Sequence, residues 1–346
     1  GNQQETITIT DDESTPVVNL SVNTSSVSES AGSGAIVVTV SLSNASPTST
    51  TVGLTTTGSQ TATGGGVDYT LNNSSLLISA GSTTATTTID LVDDALVEGV
   101  ETIELEVSTV SSASGVSENG TQQYTINITD NEASPIVSLS ASSPIAENGG
   151  VSTVTATLSV AAAQSTTVNL LFSGTADNGT DYSLSGTAIT IAAGNTSGSI
   201  TVTGVNDLLN DEAETVIVDI DTVSGGNGAS ENGTQQVTIT ITDDDNPPVL
   251  DLLVSASSVN ENAGSAAAVI TALLDHAATV DTLVTLSPSG TADNGSDYTL
   301  DNFTISVSAG ANSGTTNLNL LQDSVSENPA ETIIIDIASV SGGDSA

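Results

Sequence analysis

The chain has 346 residues with 41 Asp and Glu, no Lys or Arg and a single His, which sets its formal charge at −41. That length allows about two or three domains, while the absence of Lys and Arg removes any phosphate-binding patch, so nucleic acid and polybasic attachment to anionic lipid are both excluded. There is no Cys for disulfides or thiolate chemistry, a single His leaves any zinc site mostly to carboxylates, and neither a secretion signal nor the roughly 18-residue apolar run of a membrane span occurs.

Charge of this size suggests disorder, but the apolar pattern argues for a folded chain. Hydrophobic residues make up 36% of the sequence and alternate in short runs. The first such run is QQETITITDDE from Gln3, where Ile7 and Ile9 share one face and the threonines the other, the period of a strand. It returns as QQYTINITDNE from Gln122 and QQVTITITDDD from Gln235. Within the first unit the same alternation predicts strands over Ala35–Leu42, Thr50–Thr56 and Thr84–Val92. A further strand follows in which Ile103, Leu105 and Val107 alternate with Glu104 and Glu106, and Val216, Val218 and Ile220 repeat it. An Asp-Tyr pair follows a Gly-containing turn three times, at Asp68, Asp181 and Asp297. An acid cluster before a strand also occurs three times, from Val92, Val205 and Leu321. A Glu in an early turn recurs at Glu29, Glu147 and Glu261.

Asp11, Asp130 and Asp243 fall 119 and 113 residues apart, so the repeat is a whole domain. About seven strands per unit, separated by Gly, Asn and Ser turns, predict all-β, tandem, seven-stranded Greek-key sandwiches. The expected division is residues 1–13 as the final strand of a preceding or neighbouring sandwich, then sandwiches over 14–132, 133–246 and 247–346. The third lacks its last strand. Joining Ala346 to Gly1 restores the repeat, so the chain, which has no Met, reads as a unit of something longer. Two arrangements complete it. The chain continues into a further near-identical unit, which the matching loop sequences favour, or separate subunits lend their first strand. Either way Ile7 and Ile9 are expected to pack into a copy-three-type sandwich, with Asp11 and Asp12 completing its acid cluster.

Sandwich loops gather at two ends. The Glu29 turn, the Asp68 turn, the loop of Asp93, Asp94 and Glu98, and the strand end at Asp130 are therefore expected to meet. Carboxylates that converge without a basic partner call for a cation. Oxygen ligands select a hard one, and flexible sets of six to eight suit Ca2+ better than Mg2+. The plain alternative is that the acids solvate turns and cap them. Neither the EF-hand pattern nor the Gly-Gly-x-Gly-x-Asp repeat is present.

The run ADNGTDYSLSGTAITIAAGNTSGSITVTGVNDLLNDEAETVIVDI, closed by VTITITDDD, resembles a Calx-β domain. The resemblance covers essentially the whole chain, with four motifs in order: an early Glu, Gly-x-Asp-Tyr, an acid cluster and a terminal Asp run. It implies Ca2+ held in the loops at the end where the chain leaves each sandwich. By matching position the ligands in the first copy are Glu29, Asp68, Asp93, Asp94, Glu98 and Asp130. In the second they are Glu147, Asp181, Asp207, Asp211, Asp243, Asp244 and Asp245, and in the third Glu261, Asp297, Asp323 and Glu327. Asn206 and Gln322 stand where the first copy has Asp93, and Asn131 interrupts its terminal run, so the three sites are expected to differ. Glu101, Glu214 and Glu331 begin the next strand and read equally as outer partners or as solvated acids.

His276 falls in a turn and is expected to be inert; Tyr69, Tyr182 and Tyr298 are expected to anchor the loop by packing. Asp-Ser/Thr-aliphatic triplets at Asp221, Asp281, Asp323 and Asp344 resemble a bacterial O-glycosylation sequon, as chance in so Ser/Thr-rich a chain also predicts. No nucleophile–base pair is visible, so no enzyme is expected. The leading expectation is an extracellular, bacterial-surface structural or adhesive protein, a calcium-stiffened array whose partners are further copies of itself. The absence of trypsin-type cleavage sites suits that exposure. The alternatives are a calcium-sensing binding module and a passive spacer for an enzyme elsewhere in the chain.

Overall fold

The computed structural model describes residues 3–208, 210, 212–324 and 330–345. Its first unit contains β1 (Val17–Val22), β2 (Ser26–Ser28), β3 (Ile36–Leu42), β4 (Thr50–Thr56), β5 (Tyr69–Leu71), β6 (Ser75–Ile78), β7 (Thr84–Leu91), β8 (Glu101–Ser112), β9 (Ser117–Glu118) and β10 (Gln123–Thr129). They form two sheets, ordered β5-β7-β3-β1-β9 and β2-β10-β8-β4-β6. The second unit repeats both orders with β11 (Ile136–Ser140), β12 (Ile145–Ala146), β13 (Val151–Leu158), β14 (Thr166–Gly174), β15 (Tyr182–Leu184), β16 (Ala188–Ile191), β17 (Ser197–Gly204), β18 (Glu214–Gly225), β19 (Ser230–Glu231) and β20 (Gln236–Thr242). The third has β21 (Leu250–Val254), β22 (Ala268–Leu274), β23 (Thr282–Gly290), β24 (Tyr298–Leu300), β25 (Thr304–Val307), β26 (Ser313–Leu320) and β27 (Ile333–Gly342), ordered β21-β22-β26-β24 and β25-β23-β27. Among the described residues, no helix is long and apolar enough to cross a membrane.

Alternation places the core where the sequence pattern put it. In β3, Ile36, Val38, Val40 and Leu42 are buried while Val37, Thr39 and Ser41 face outward. Ile103 and Leu105 of β8 meet Ile126 and Ile128 of β10 inside the first sandwich, and Val216, Val218, Ile239 and Ile241 do the same in the second. All three copies carry one bulge, at Ser108, Asp221 and Ala338, which leaves an extra residue on the long strand. In the second and third copies a glycine turns the chain out of the sheet. Gly174 has φ +125°, and a Cβ there would stand 2.1 Å from the Thr215 carbonyl. That close approach lets Thr175 and Ala176 donate to the same carbonyl, which carries the chain toward the Asp181 turn.

Among the described residues no strand corresponding to β10 or β20 lies beside β27, so Ile333 and Ile335 are only partly buried, whereas their counterparts Ile103, Leu105, Val216 and Val218 are fully buried. The segment of matching sequence, Gln3–Asp12, forms no strand within the chain. Ile7 is 89% and Ile9 93% exposed. The sequence predicts a strand there, but a strand needs a ladder, and the sandwich that follows already holds β10 in that place. The packing of Ile7 and Ile9 into a sandwich is therefore not made among the described residues.

The difference in packing has a measurable consequence. Leu105→Ala should cost its sandwich about 3 kcal/mol, a fully buried large-to-small change. Ile335→Ala, at the equivalent position of the open third core, should cost about 1 kcal/mol or less. Denaturant titration followed by residue-resolved NMR checks this, and equal losses would contradict an open third core.

Candidate metal centre

Strand pairing brings the acids together. β2 runs parallel to the end of β10 with Ser28 opposite Thr129, so the next residues, Glu29 and Asp130, leave the ladder side by side. Ala146 opposite Thr242 does the same for Glu147 and Asp243. Glu29 opens a short 3-10 turn and is 5% exposed. Each Asp-Tyr motif pins the neighbouring loop: the carbonyls of Asp68, Asp181 and Asp297 accept from Val92, Val205 and Leu321. One carboxylate oxygen of each Asp caps its own turn, accepting from the Thr63, Asp177 or Asp293 N–H. The tyrosines behind them are buried, as expected of packing anchors.

In the first sandwich Glu29, Asp130 and Glu132 gather with carboxylate oxygens within 4.8 Å of one another, and so do Asp68, Glu98 and Glu101. Asp93 and Asp94 are exposed at the rim. Asn131, with its amide oriented to donate, reaches Glu29 at 3.0 Å and Asp93 at 3.1 Å. Asp94 caps its own turn, accepting from the Leu96 N–H at 2.7 Å. In the second sandwich Glu147, Asp243 and Asp245 gather in the same way. Asp181, Asp207, Glu212 and Glu214 join Glu147 and Asp243 around a pocket of about 10 Å³, near the room one water-sized occupant needs. Asp244 turns aside to accept from the Asn148 amide and is not in the cluster. In the third sandwich Glu261 accepts from the Asp323 N–H at 2.7 Å. Among the described residues, no three of its acids come as close as those in the other two. Among the described residues Asp11 and Asp12 do not complete it; they form an exposed cluster with Glu13. Asp211 and Glu327 lie outside the described residues.

Crowding shows in the electrostatics. Burial, a hydrogen bond to the Glu132 carboxyl and repulsion from Asp130 push Glu29 up to about 8. Burial and the charges of Asp68 and Glu98 raise Glu101 to about 7, and burial with Asp243, Asp207, Asp245 and Asp244 does the same to Glu147. Burial opposes ionisation of Asp130 as well, but the N–H groups of Glu132 and Glu98 at 3.0 Å and of Gly99 at 3.2 Å outweigh it and keep its carboxylate below the ordinary range. Three buried carboxylate oxygens, Glu132 Oε2, Glu147 Oε1 and Asp245 Oδ2, have no hydrogen-bond partner. Orphaned oxygens in an all-oxygen donor set without a cationic side chain fit a hard cation such as Ca2+. Glu29, Asp130, Glu132, Asp68, Glu98 and Glu101 would hold it in the first sandwich, and Glu147, Asp181, Asp207, Glu212, Glu214, Asp243 and Asp245 in the second.

The loop that carries Glu98 also reaches the next sandwich. Val97 pairs with Ala162: its N–H donates to the Ala161 carbonyl and its carbonyl accepts from Ala163, both at 2.9 Å. Asn227 donates to the Glu98 carbonyl. At the second joint Asn210 donates to the Asp344 carbonyl at 3.4 Å, and Asp344 accepts from Thr279. His276 bonds the linker carbonyl of Asn246 at 3.0 Å and Asp275 at 2.8 Å, so it ties the joint together as a structural residue.

Sequence reasoning passed over Glu132 and Glu212 and left Glu101 and Glu214 open. A signal for Glu132 was available: it stands two residues after Asp130, as Asp245 follows Asp243 and Glu13 follows Asp11.

The sequence profile of the Calx-beta domain matches residues 11–132, 130–245 and 243–346. No curated protein matches the chain. Among solved structures the chain is similar to CBD12 from CALX1.2, at 17% identity over 56% of this chain and 76% of that one, with a TM-score of 0.27. The apo-form Calx CBD1 domain shows 20% identity over 32% of this chain and 99% of that one, TM-score 0.27. The D0-D1 domain of intimin shows 12% over 64% and 97%, TM-score 0.23.

A carboxyl whose folded pKa lies above its unfolded value near 4.5 holds a proton longer in the native state. Its contribution to stability is therefore present at low pH and lost as pH rises from about 4.5 through the folded values of about 7 and 8. In chelator, the first two sandwiches should melt at lower temperature at pH 8 than at pH 5. With Ca2+ present that loss should disappear. Melting curves across this range check it, and a chelated protein that gains stability toward pH 8 would contradict it.

Proposed function

The chain belongs to the Calx-beta domain family, and on that premise we propose that it is an extracellular structural array whose joints are stiffened by Ca2+. The observation that carries this reading is the Val97–Gly99 loop. Asp130, a member of the first acid cluster, holds it from one side through the Glu98 and Gly99 N–H groups, and Ala161–Ala163 with Asn227 of the second sandwich hold it from the other. A cation among Glu29, Asp130 and Glu132 neutralises their repulsion and fixes the Asp130 carboxylate. The loop is thereby fixed, and with it the angle between neighbouring sandwiches. Between Asp245 and β21 only four residues intervene, and Pro247 and Pro248 are two of them.

An extracellular setting suits this chemistry. Extracellular calcium-binding modules in general work at about 10⁻⁴–10⁻³ M Ca2+, and a fully acidic chain without Lys or Arg presents no trypsin-type cleavage site. Adhesion at a bacterial surface is the role such an array would serve, as a stalk or fibre.

Calorimetry of the chelated protein should reveal at least two Ca2+ sites. Asp243→Asn with Asp245→Asn should remove the second and leave the first. Small-angle scattering should give a rod in Ca2+ and a broader distribution of shapes in chelator. Binding without any change in the scattering would overturn the stiffening role; no binding heat at millimolar Ca2+ would overturn the calcium reading itself.

A further inference from the structure

Both joints between sandwiches are closed by a turn of the same shape. Residues 223–227 of the second sandwich read VSGGN, and residues 340–344 of the third read VSGGD. The last three residues of each turn are left-handed, with φ of +78°, +56° and +52° at Gly225, Gly226 and Asn227 and of +75°, +60° and +53° at Gly342, Gly343 and Asp344. Asn and Asp are the residues with a side chain that enter this region most readily. The backbone therefore admits either one at both places, and the choice between them answers to what each one faces. We propose that Asn227 and Asp344 are specificity residues of opposite polarity, which seat the second sandwich only on the loop of the first and the third sandwich only on the loop of the second.

At the first joint the donor belongs to the turn. The Gln164 N–H of the same sandwich donates to Asn227 Oδ1 at 3.0 Å, which fixes the amide and leaves Nδ2 to donate outward to the Glu98 carbonyl. The loop side is equally fixed. The Glu98 carbonyl and the Gly99 N–H belong to one trans peptide and point in opposite directions. Asp130 accepts from that N–H at 3.2 Å, so the carbonyl faces the second sandwich. Gly99 has φ +89°, and a Cβ there would stand 3.7 Å from Asn227 Nδ2. Beside this bond Val97 and Ala162, both buried, pair through their backbones and bring no polar side chain to the contact.

At the second joint the polarity is reversed. Both carboxylate oxygens of Asp344 are engaged within their own sandwich, by the Thr279 N–H and the Thr279 hydroxyl. What faces the preceding loop is the Asp344 carbonyl, an acceptor, and the donor is the Asn210 amide at 3.4 Å. Asn210 follows Val205 as Val97 follows Val92, so the second loop carries an amide where the first carries an isopropyl group. Exchanging the partners leaves both contacts unmade. A carboxylate in the place of the Asn227 amide would meet the Glu98 carbonyl, two acceptors with no proton between them, in a chain without Lys or Arg to answer the added charge. An isopropyl group in the place of the Asn210 amide offers the Asp344 carbonyl no donor. Val97, Asn210, Asn227 and Asp344 all stand outside the acid clusters, so this specificity does not rest on a bound cation.

Spin-label distances in the full chain test this, and the absence of Cys lets each label be placed alone. Labels attached through Thr86→Cys and Ser199→Cys, both exposed positions, span the first joint, and Ser199→Cys with Thr315→Cys spans the second. In millimolar Ca2+ each pair should give one narrow distance peak. Asn227→Asp keeps the left-handed turn and the acceptor for Gln164, yet it should cost the first pair its narrow peak and leave the second pair unchanged. Asn210→Val should do the reverse. Asn232→Asp makes the same change of charge at an exposed position of the second sandwich and should alter neither pair. A narrow peak that either joint variant keeps at its own joint overturns the proposal, as does a first pair that is already broad in the wild type or is broadened equally by Asn232→Asp. Wild-type peaks that are equally narrow in chelator remove the stiffening by calcium and leave the pairing of Asn227 and Asn210 with their joints standing.

Discussion

Carboxylates without a cationic side chain to answer them are the constraint on which the rest of this structure depends. The chain has 41 acids and neither Lys nor Arg. The ordinary remedy for a crowded carboxylate, a salt bridge, is therefore missing at Glu29, Asp130 and Glu132 and again at Glu147, Asp243 and Asp245. Protons and backbone N–H groups ease the crowding, but only in part. Glu29 is held protonated up to about 8, while Asp130 is kept ionised by three N–H donors. A hard cation would remove the repulsion and supply partners for the orphaned oxygens. The local problem of charge would thereby become a means of fixing loops.

Those loops are also the joints. A sandwich joined to its neighbour by a single stretch of linker alone would be free to bend. Here Val97 enters a backbone pairing with Ala162 of the next sandwich, and the adjacent Glu98 and Gly99 N–H groups point back at Asp130. The acid cluster and the joint thus share one short stretch of backbone. The second joint is tied differently: there the Asn210 amide of the loop donates to the Asp344 carbonyl, whereas at the first joint Asn227, the counterpart of Asp344, donates to the Glu98 carbonyl of the loop.

Much of this was legible in the sequence because it depends on periodicity. The alternation over Ala35–Leu42, Thr50–Thr56 and Thr84–Val92 marks strands that are present within a residue at either end. The early Glu and the terminal Asp could be paired because strand topology brings the ends of β2 and β10 together. Finer choices were not legible. Asp244 sits in an unbroken acid run, yet side chains alternate as the strand ends, so Asp243 and Asp245 face the cluster and Asp244 meets Asn148. The same alternation brings in Glu132 past Asn131. Glu101 was ambiguous because its role depends on where Asp68 stands, a contact between residues far apart in sequence. The Val97 pairing is a contact between sandwiches, and no intradomain pattern announces it. Gln3–Asp12 reads as a strand and remains unpaired, because a strand is a property of two partners.

The central claim is that these carboxylates are held together by a bound cation. Anomalous scattering from crystals grown in Ca2+ tests it most directly. A peak bounded by Glu29, Asp130 and Glu132, with its counterpart among Glu147, Asp243 and Asp245, is the predicted result. Density at both places that contains only water, with the Glu29 and Glu132 carboxyl groups still hydrogen-bonded to each other, would contradict it.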